Sequence, residues 1–195
     1  MNIVVMGAAG FIGTNLVIEL VKNEADRITV VDEKASYFSH YPKEILRKVQ
    51  TIESEFQDNA DFDRCMKGQE LVFHLISTNN PTTSNKNVGR DLTDNISITI
   101  KLLESCVRNG VKKVVFLSSG GTVYGKEVVC PIAETSKTCP INTYGIQKLT
   151  IEKLLYLYFH MHGLDYSIIR LSNPFGPYQR PNGKLGVITT FLFQA

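Results

Sequence analysis

At 195 residues the chain is long enough for one hydrophobic core, and 43% hydrophobic with 21% charged residues is ordinary for a globular domain. The formal net charge of +2, with no Lys/Arg-rich run, carries no electrostatic footprint for nucleic acid or for a membrane surface, and a small-molecule partner is expected instead. Cys65, Cys106, Cys130 and Cys139 lack Cys-x-x-Cys spacing and nearby histidines, so they read as reduced thiols, with neither a metal site nor a disulfide framework expected. The start at Met1 has no basic leader pattern and no apolar run approaches the ~18 residues of a membrane span, which together imply a cytoplasmic location.

In chain order, the β-branched run Asn2 to Met6 predicts a strand, Gly7-Ala-Ala-Gly-Phe-Ile-Gly13 a turn, and Thr14 to Lys22 an amphipathic helix. Strand, glycine turn and helix in this order form a dinucleotide-binding unit. Gly7 permits the tight turn, Gly10 lets a pyrophosphate approach the backbone, and Gly13 lets the helix pack closely, while the helix start offers N–H groups to phosphate. Arg27 to Asp32 predicts a second strand ending in an acid about 20 residues past the turn, where a carboxylate can accept hydrogen bonds from the adenosine ribose. Asp32 therefore favours NAD over NADP.

Glu33 to Pro42 reads as a polar loop, Lys43 to Lys48 as a short helix, Val49 to Glu53 as a third strand, Asp58 to Lys67 as a helix and Glu70 to Leu75 as a fourth strand. His74, at that strand's end, reads as a core histidine rather than a catalyst, and Leu75, Ile76 and Ser77 as cofactor lining. Asn79 to Asn87 is a Pro/Thr/Ser/Asn loop at the expected mouth of the site, a candidate substrate loop or lid. Leu92, Ile96, Ile100, Leu103 and Val107 at helical spacing predict a long helix from about Val88 to Asn109. Val114 onward is an apolar strand delivering Ser118, Ser119, Gly120, Gly121 and Thr122 at its end, followed by a long excursion from Lys126 to Asn142. A helix from about Thr143 to Gly163 and a strand from Asp165 to Arg170 complete the alternation, which predicts a doubly wound parallel α/β sheet of strand order 3-2-1-4-5-6.

Tyr144-Gly-Ile-Gln-Lys148 is the chemical device of this chain. Residues four apart on a helix share a face, so the Lys148 ammonium can lie near the Tyr144 phenol. A free tyrosine titrates near pH ~10, and nearby cations favour its phenolate, which makes the pair suited to taking the proton of an alcohol being oxidised.

Four ordered motifs then carry a resemblance: Gly7-x-x-Gly10-x-x-Gly13, Ser118-Ser119 with Val123-Tyr124-Gly125, Tyr144-x-x-x-Lys148, and Asn173-Pro174-x-Gly176. Together the chain resembles the extended short-chain dehydrogenase/reductase family, particularly its NAD-dependent nucleotide-sugar epimerases and dehydratases. The resemblance implies a Rossmann domain over 1–180, with 181–195 starting a smaller substrate domain that breaks off with the chain. It implies cofactor contacts from Phe11, Ile12, Glu55 and Phe56 (the acidic-hydrophobic pair bordering the adenine, with Glu55 in place of the more usual aspartate), Asn95, Ser118, Tyr144, Lys148 and Pro174. Ser119 and Asn173 would contact the nucleotide-sugar substrate. It also implies a homodimer paired through the helices at about 88–109 and 143–163.

On this resemblance the activity is 4-epimerisation of a nucleotide-sugar through a 4-keto stage, with Tyr144 as proton carrier and Lys148 lowering its pKa and holding the nicotinamide ribose. The 4,6-dehydratase branch needs an Asp–Glu pair where this chain has Gly121 and Thr122, and is disfavoured. A reductase using the same Tyr–Lys pair, or a non-catalytic NAD-binding module, are the alternatives. Many 4-epimerases carry a hydroxyl residue where Gly120 stands, so the Thr122 hydroxyl, or a water in the space Gly120 leaves, is expected to assist Tyr144.

Overall fold

A computed structural model describes residues 1–57, 60–78, 84–180 and 187–194. Six strands, β1 (Asn2–Met6), β2 (Arg27–Asp32), β3 (Val49–Glu53), β4 (Leu71–His74), β5 (Lys113–Ser119) and β6 (Asp165–Leu171), form one sheet in the order β3-β2-β1-β4-β5-β6. Every neighbouring pair is parallel, as the predicted alternation of apolar strands and helices requires.

Side chains on a strand alternate between its faces, and β1 serves both. Val4 and Met6 join Val72, Val114 and Phe116 in one core, closed by Ile98, Leu102 and Leu103 of α4 (Val88–Arg108) and by Ile151 and Leu155 of α5 (Thr143–His162). Ile3 and Val5 face the other core with Ile28 and Val30, under Val17 of α1 (Phe11–Leu20). β6 is one of the two edge strands, and none of its residues is fully buried.

Several expected boundaries move. The first helix starts at Phe11 rather than Thr14, directly after the glycine turn. The stretch read as a polar loop contains a 3-10 helix, Ala35–His40, whose Phe38, together with the following Tyr41, is buried in the second core. The Tyr41 hydroxyl donates to the Ala8 carbonyl at 2.7 Å, so burial of this aromatic ring also satisfies a polar group beneath the glycine turn. The two short helices shrink to α2 (Lys43–Leu46) and α3 (Asp63–Met66), with 58–59 outside the described residues, as are 79–83 of the candidate substrate loop. The last apolar run is a helix, α6 (Val187–Gln194), with Ile188, Phe191 and Leu192 exposed.

His74 lies where β4 meets α4, buried against the Phe116 ring. The Thr99 hydroxyl spends its proton on the Asn95 carbonyl at 2.7 Å, so it accepts the 2.9 Å bond from His74, which fixes the proton on Nε2. Burial, with the Lys148 charge behind it, pushes the imidazole down to about 3 from its ordinary 6.5. As pH falls below about 6.5 the unfolded chain gains a proton that the folded chain refuses, so stability is lost from there down to about 3. The slope from this residue is at most about 1.4 kcal/mol per pH unit. Urea unfolding across this range should therefore show a shallower acid limb in His74→Gln, which keeps an N–H for Thr99; equal slopes in the two proteins would contradict a neutral buried His74.

Candidate cofactor and active site

The strand order reverses between β1 and β4, where the connections leave in opposite directions and open a crevice at the carboxyl ends of the strands. Gly7 turns there with φ of +80°, and a Cβ on it would come within 3.1 Å of the Leu75 carbonyl carbon and Ile76 nitrogen. The glycine turn and the end of β4 thus touch backbone to backbone, which puts Leu75, Ile76 and Ser77 beside the turn. Gly13 is tighter: its Cβ would stand 2.4 Å from the Ala8 carbonyl oxygen, so only glycine lets α1 start this close to β1. Gly10 is the exposed N-cap of α1 and has no side chain to cap it, leaving the first-turn N–H groups of Phe11, Ile12 and Gly13 open, the kind of donor a helix start offers to phosphate. Asp32, at the end of β2, accepts from the Ala9 N–H at 2.8 Å and the Glu33 N–H at 2.9 Å, so its carboxylate is held in place with lone pairs left for a ribose. This donor set, carboxylate and open helix start, fits a dinucleotide.

Of the adenine pair, Glu55 is exposed, whereas Phe56 is buried and stacked on Phe62 at 6.5 Å. Asn95 is buried: its Oδ1 accepts from the Thr78 N–H at 3.0 Å and its Nδ2 donates to the Thr78 hydroxyl at 2.6 Å. It holds the end of β4 in shape.

Tyr144 and Lys148 lie one turn apart on α5, with the ammonium 5.5 Å from the phenol ring centroid. Lys148 is buried, donates to the Leu117 carbonyl at 2.9 Å and lies 4.8 Å from the Phe116 ring, and burial pushes it down to about 8. It still carries its charge at neutral pH. Tyr144, however, is raised above its ordinary value by burial, not lowered by its neighbour as expected. The ammonium is committed to the β5 carbonyl, and desolvation of the phenol outweighs its pull.

Gly120 also departs from expectation. Its N–H donates to the Leu171 carbonyl at 2.8 Å, and a Cβ there would stand 2.7 Å from the Arg170 carbonyl oxygen. The backbone of β6 fills the room expected for a water. Thr122 remains: among the described residues its buried Oγ1 has no hydrogen-bond partner. Its carbonyl rests on α5 at Gly145, where a Cβ would come within 2.7 Å, so a glycine directly after Tyr144 is what brings Thr122 against α5. Sequence reasoning passed over Gly145, although a glycine in the first turn of a helix was the available signal.

Ser118 faces α5 and donates to Glu152 at 2.5 Å. Glu152 extends the Tyr144–Lys148 row by one more turn and pairs with Arg170 of β6 at 2.6 Å, both largely buried. Arg170 in turn donates to the Tyr124 hydroxyl and the Glu134 carbonyl, each at 2.9 Å, tying the 126–142 excursion to the sheet. Removing one member of such a buried pair costs on the order of 3–5 kcal/mol. Ser119, its neighbour on the opposite face of β5, is nearly buried, and Asn173 is exposed beyond β6. From there the chain returns toward α1: the Asn15 side chain donates to the Pro177 carbonyl at 2.8 Å, Tyr178 packs on the His40 ring at 5.9 Å, and the Pro174 carbonyl accepts from Gln179 at 3.3 Å.

Comparison with known proteins places this geometry. Residues 3–195 match the NAD dependent epimerase/dehydratase family. The chain is 33% identical over 200 residues to dTDP-4-dehydro-6-deoxyglucose reductase of Escherichia coli, covering 98% of this chain and 61% of that protein. It is 32% identical over 194 residues to UDP-glucose 4-epimerase of Mycolicibacterium smegmatis, covering 98% and 62%. Its backbone matches the crystal structure of Thermotoga maritima UDP-glucose 4-epimerase with UDP-glucose at a TM-score of 0.83 and 36% identity, over 98% of this chain and 62% of that one. The chain thus spans about three fifths of the length of these relatives. The glycine turn, the buried lysine and the row they serve have a family: the chain belongs to the NAD-dependent epimerase/dehydratase family of extended short-chain dehydrogenases/reductases.

Proposed function

We propose that the protein is a redox-neutral nucleotide-sugar epimerase, with this chain supplying the cofactor half and the proton-handling residues. The observation that carries this reading is the Thr122 hydroxyl, buried without a partner among the described residues, and held by Gly145 against the helix that bears Tyr144 and Lys148. NAD, held by the Gly7–Gly13 turn and Asp32, supplies the hydride acceptor and donor when bound. Tyr144 takes the proton of the sugar hydroxyl at the carbon being oxidised and later returns it, and Thr122 bridges hydroxyl and phenol. Since burial alone raises Tyr144, the phenolate depends on two cations together, Lys148 and the nicotinamide ring. Asn173 contacts the phosphates of the substrate.

A dehydratase is disfavoured because Gly121 and Thr122 stand where its acid/base pair would be. A reductase is the second reading, supported by the likeness to the dTDP-4-dehydro-6-deoxyglucose reductase. The two differ in stoichiometry. In full-length protein, Tyr144→Phe should abolish turnover while sparing NAD binding, and Thr122→Val should cost at least about tenfold in turnover. Asp32→Ala should weaken NAD. Full activity of Tyr144→Phe would sink the proton path, and steady consumption of NADH with a keto-sugar, without interconversion of epimers, would favour the reductase.

The outer faces of α4 and α5 are proposed to pair two copies of the protein. Thr93, Ile96, Ile100 and Glu104 line a shallow groove along α4, and Ile146 and Leu157 are exposed on α5. Light scattering at micromolar concentration should report a dimer that Ile100→Glu converts to a monomer; a wild-type monomer would contradict this.

A further inference from the structure

α5 carries two rows of side chains offset by one residue. Tyr144, Lys148 and Glu152 form one; Thr143 and Gln147 form the other, turned roughly 100° about the helix axis toward α4. Both members of the second row are buried, and both end on Asp91 in the first turn of α4. The Thr143 hydroxyl donates to Asp91 Oδ2 at 3.0 Å, and the Gln147 side-chain amide donates to the Asp91 backbone carbonyl at 2.5 Å. Each residue gripped in this way immediately precedes a member of the Tyr144–Lys148 pair.

Asn85, in the connection between β4 and α4, closes the arrangement. Its backbone lies in the left-handed region, φ +72°, which asparagine tolerates better than most residues. From there its N–H is shared between Asp91 Oδ2 and the Thr143 hydroxyl, each at 3.0 Å, and its side-chain oxygen accepts from the Thr143 N–H at 2.8 Å. Donors and acceptors balance: the Thr143 hydroxyl gives its one proton to Asp91 and receives from Asn85. The start of α5 is thereby capped twice, by Asn142 on the Gly145 N–H at 2.7 Å and by Asn85 on the Thr143 N–H. The carboxylate also sits at the N-terminal end of α4, where the helix dipole favours its charge.

We infer that Asp91, Asn85 and Thr143 form a positioning clasp that sets the rotation of α5 about its axis, and so the aim of the Tyr144 hydroxyl, and that couples this aim to the β4–α4 loop carrying Asn85. The clasp touches no reacting atom. It acts through Tyr144, and it rests on the proposal above that Tyr144 handles the proton. A displacement of about 1 Å at a reacting group costs on the order of 100-fold, which a small rotation of α5 is enough to produce at the end of a tyrosine side chain.

The test uses this chain with saturating NAD and reads Tyr144 ionisation by tyrosinate ultraviolet absorbance, as the difference between each protein and the same protein carrying Tyr144→Phe. Thr143→Val removes the hydroxyl, Asn85→Gly keeps the left-handed backbone but removes the acceptor, and Thr143→Ser keeps the hydroxyl as the rescuing variant. The Tyr144 midpoint should rise by on the order of one pH unit in the first two variants and stay at the wild-type value in Thr143→Ser. A purely structural role would lower the melting temperature of Thr143→Val and leave the midpoint in place. Unchanged midpoints in folded, NAD-binding Thr143→Val and Asn85→Gly would overturn the clasp, as would a shift in Thr143→Ser equal to that in Thr143→Val. If wild type itself shows no Tyr144 step below the ordinary tyrosine range, the reading of Tyr144 as proton carrier falls, and the clasp's role with it.

Discussion

A buried ammonium hydrogen-bonded to a backbone carbonyl is the constraint on which the site depends. Lys148 cannot leave its carbonyl at the end of β5 without stranding a charge in the core, so the bond from its ammonium to Leu117 locks α5 to the sheet at one height. Tyr144, one turn earlier, is then placed at the carboxyl end of β5, level with Thr122. Burial lowers Lys148 and raises Tyr144, which moves their proton affinities apart, so the phenol keeps its proton until a further cation joins Lys148 beside it.

Around that lock the structure is built of contacts at which one atom more would not fit. Gly13 against Ala8, Gly120 against Arg170 and Gly145 against Thr122 each bring backbone to a distance that a Cβ forbids. The charge network of Ser118, Glu152, Arg170 and Tyr124 does for the excursion over the site what the glycines do for the helices. Its members are satisfied by one another, so the buried carboxylate stays compatible with the apolar core beside it.

Much of this was legible in the sequence. β-branched runs punctuated by glycine and amphipathic stretches dictate the six parallel strands and their order, and the first glycine turn with Asp32 marks the dinucleotide crevice. The rest depends on partners distant in the chain. Phe38 and Tyr41 sit in a polar stretch whose periodicity says loop, and only the second core shows why they are buried. Gly120 looked like room for a water because nothing local announces the β6 carbonyl that fills it. The resemblance assigns Asn95 to the cofactor, and only the docked α4 shows its amide bonded to Thr78. Asn85 reads as part of a polar loop, and nothing local singles out Asp91 until α5 is docked beside them.

The central claim is that one chain of proton-handling residues serves a reaction with no net redox change. It is tested most directly by giving full-length protein and NAD a nucleotide-sugar deuterated at the carbon whose configuration inverts. The account predicts that the epimeric product keeps the deuterium at that carbon and that no free NADH accumulates. Loss of the label to solvent, or release of one NADH per sugar converted, would contradict it.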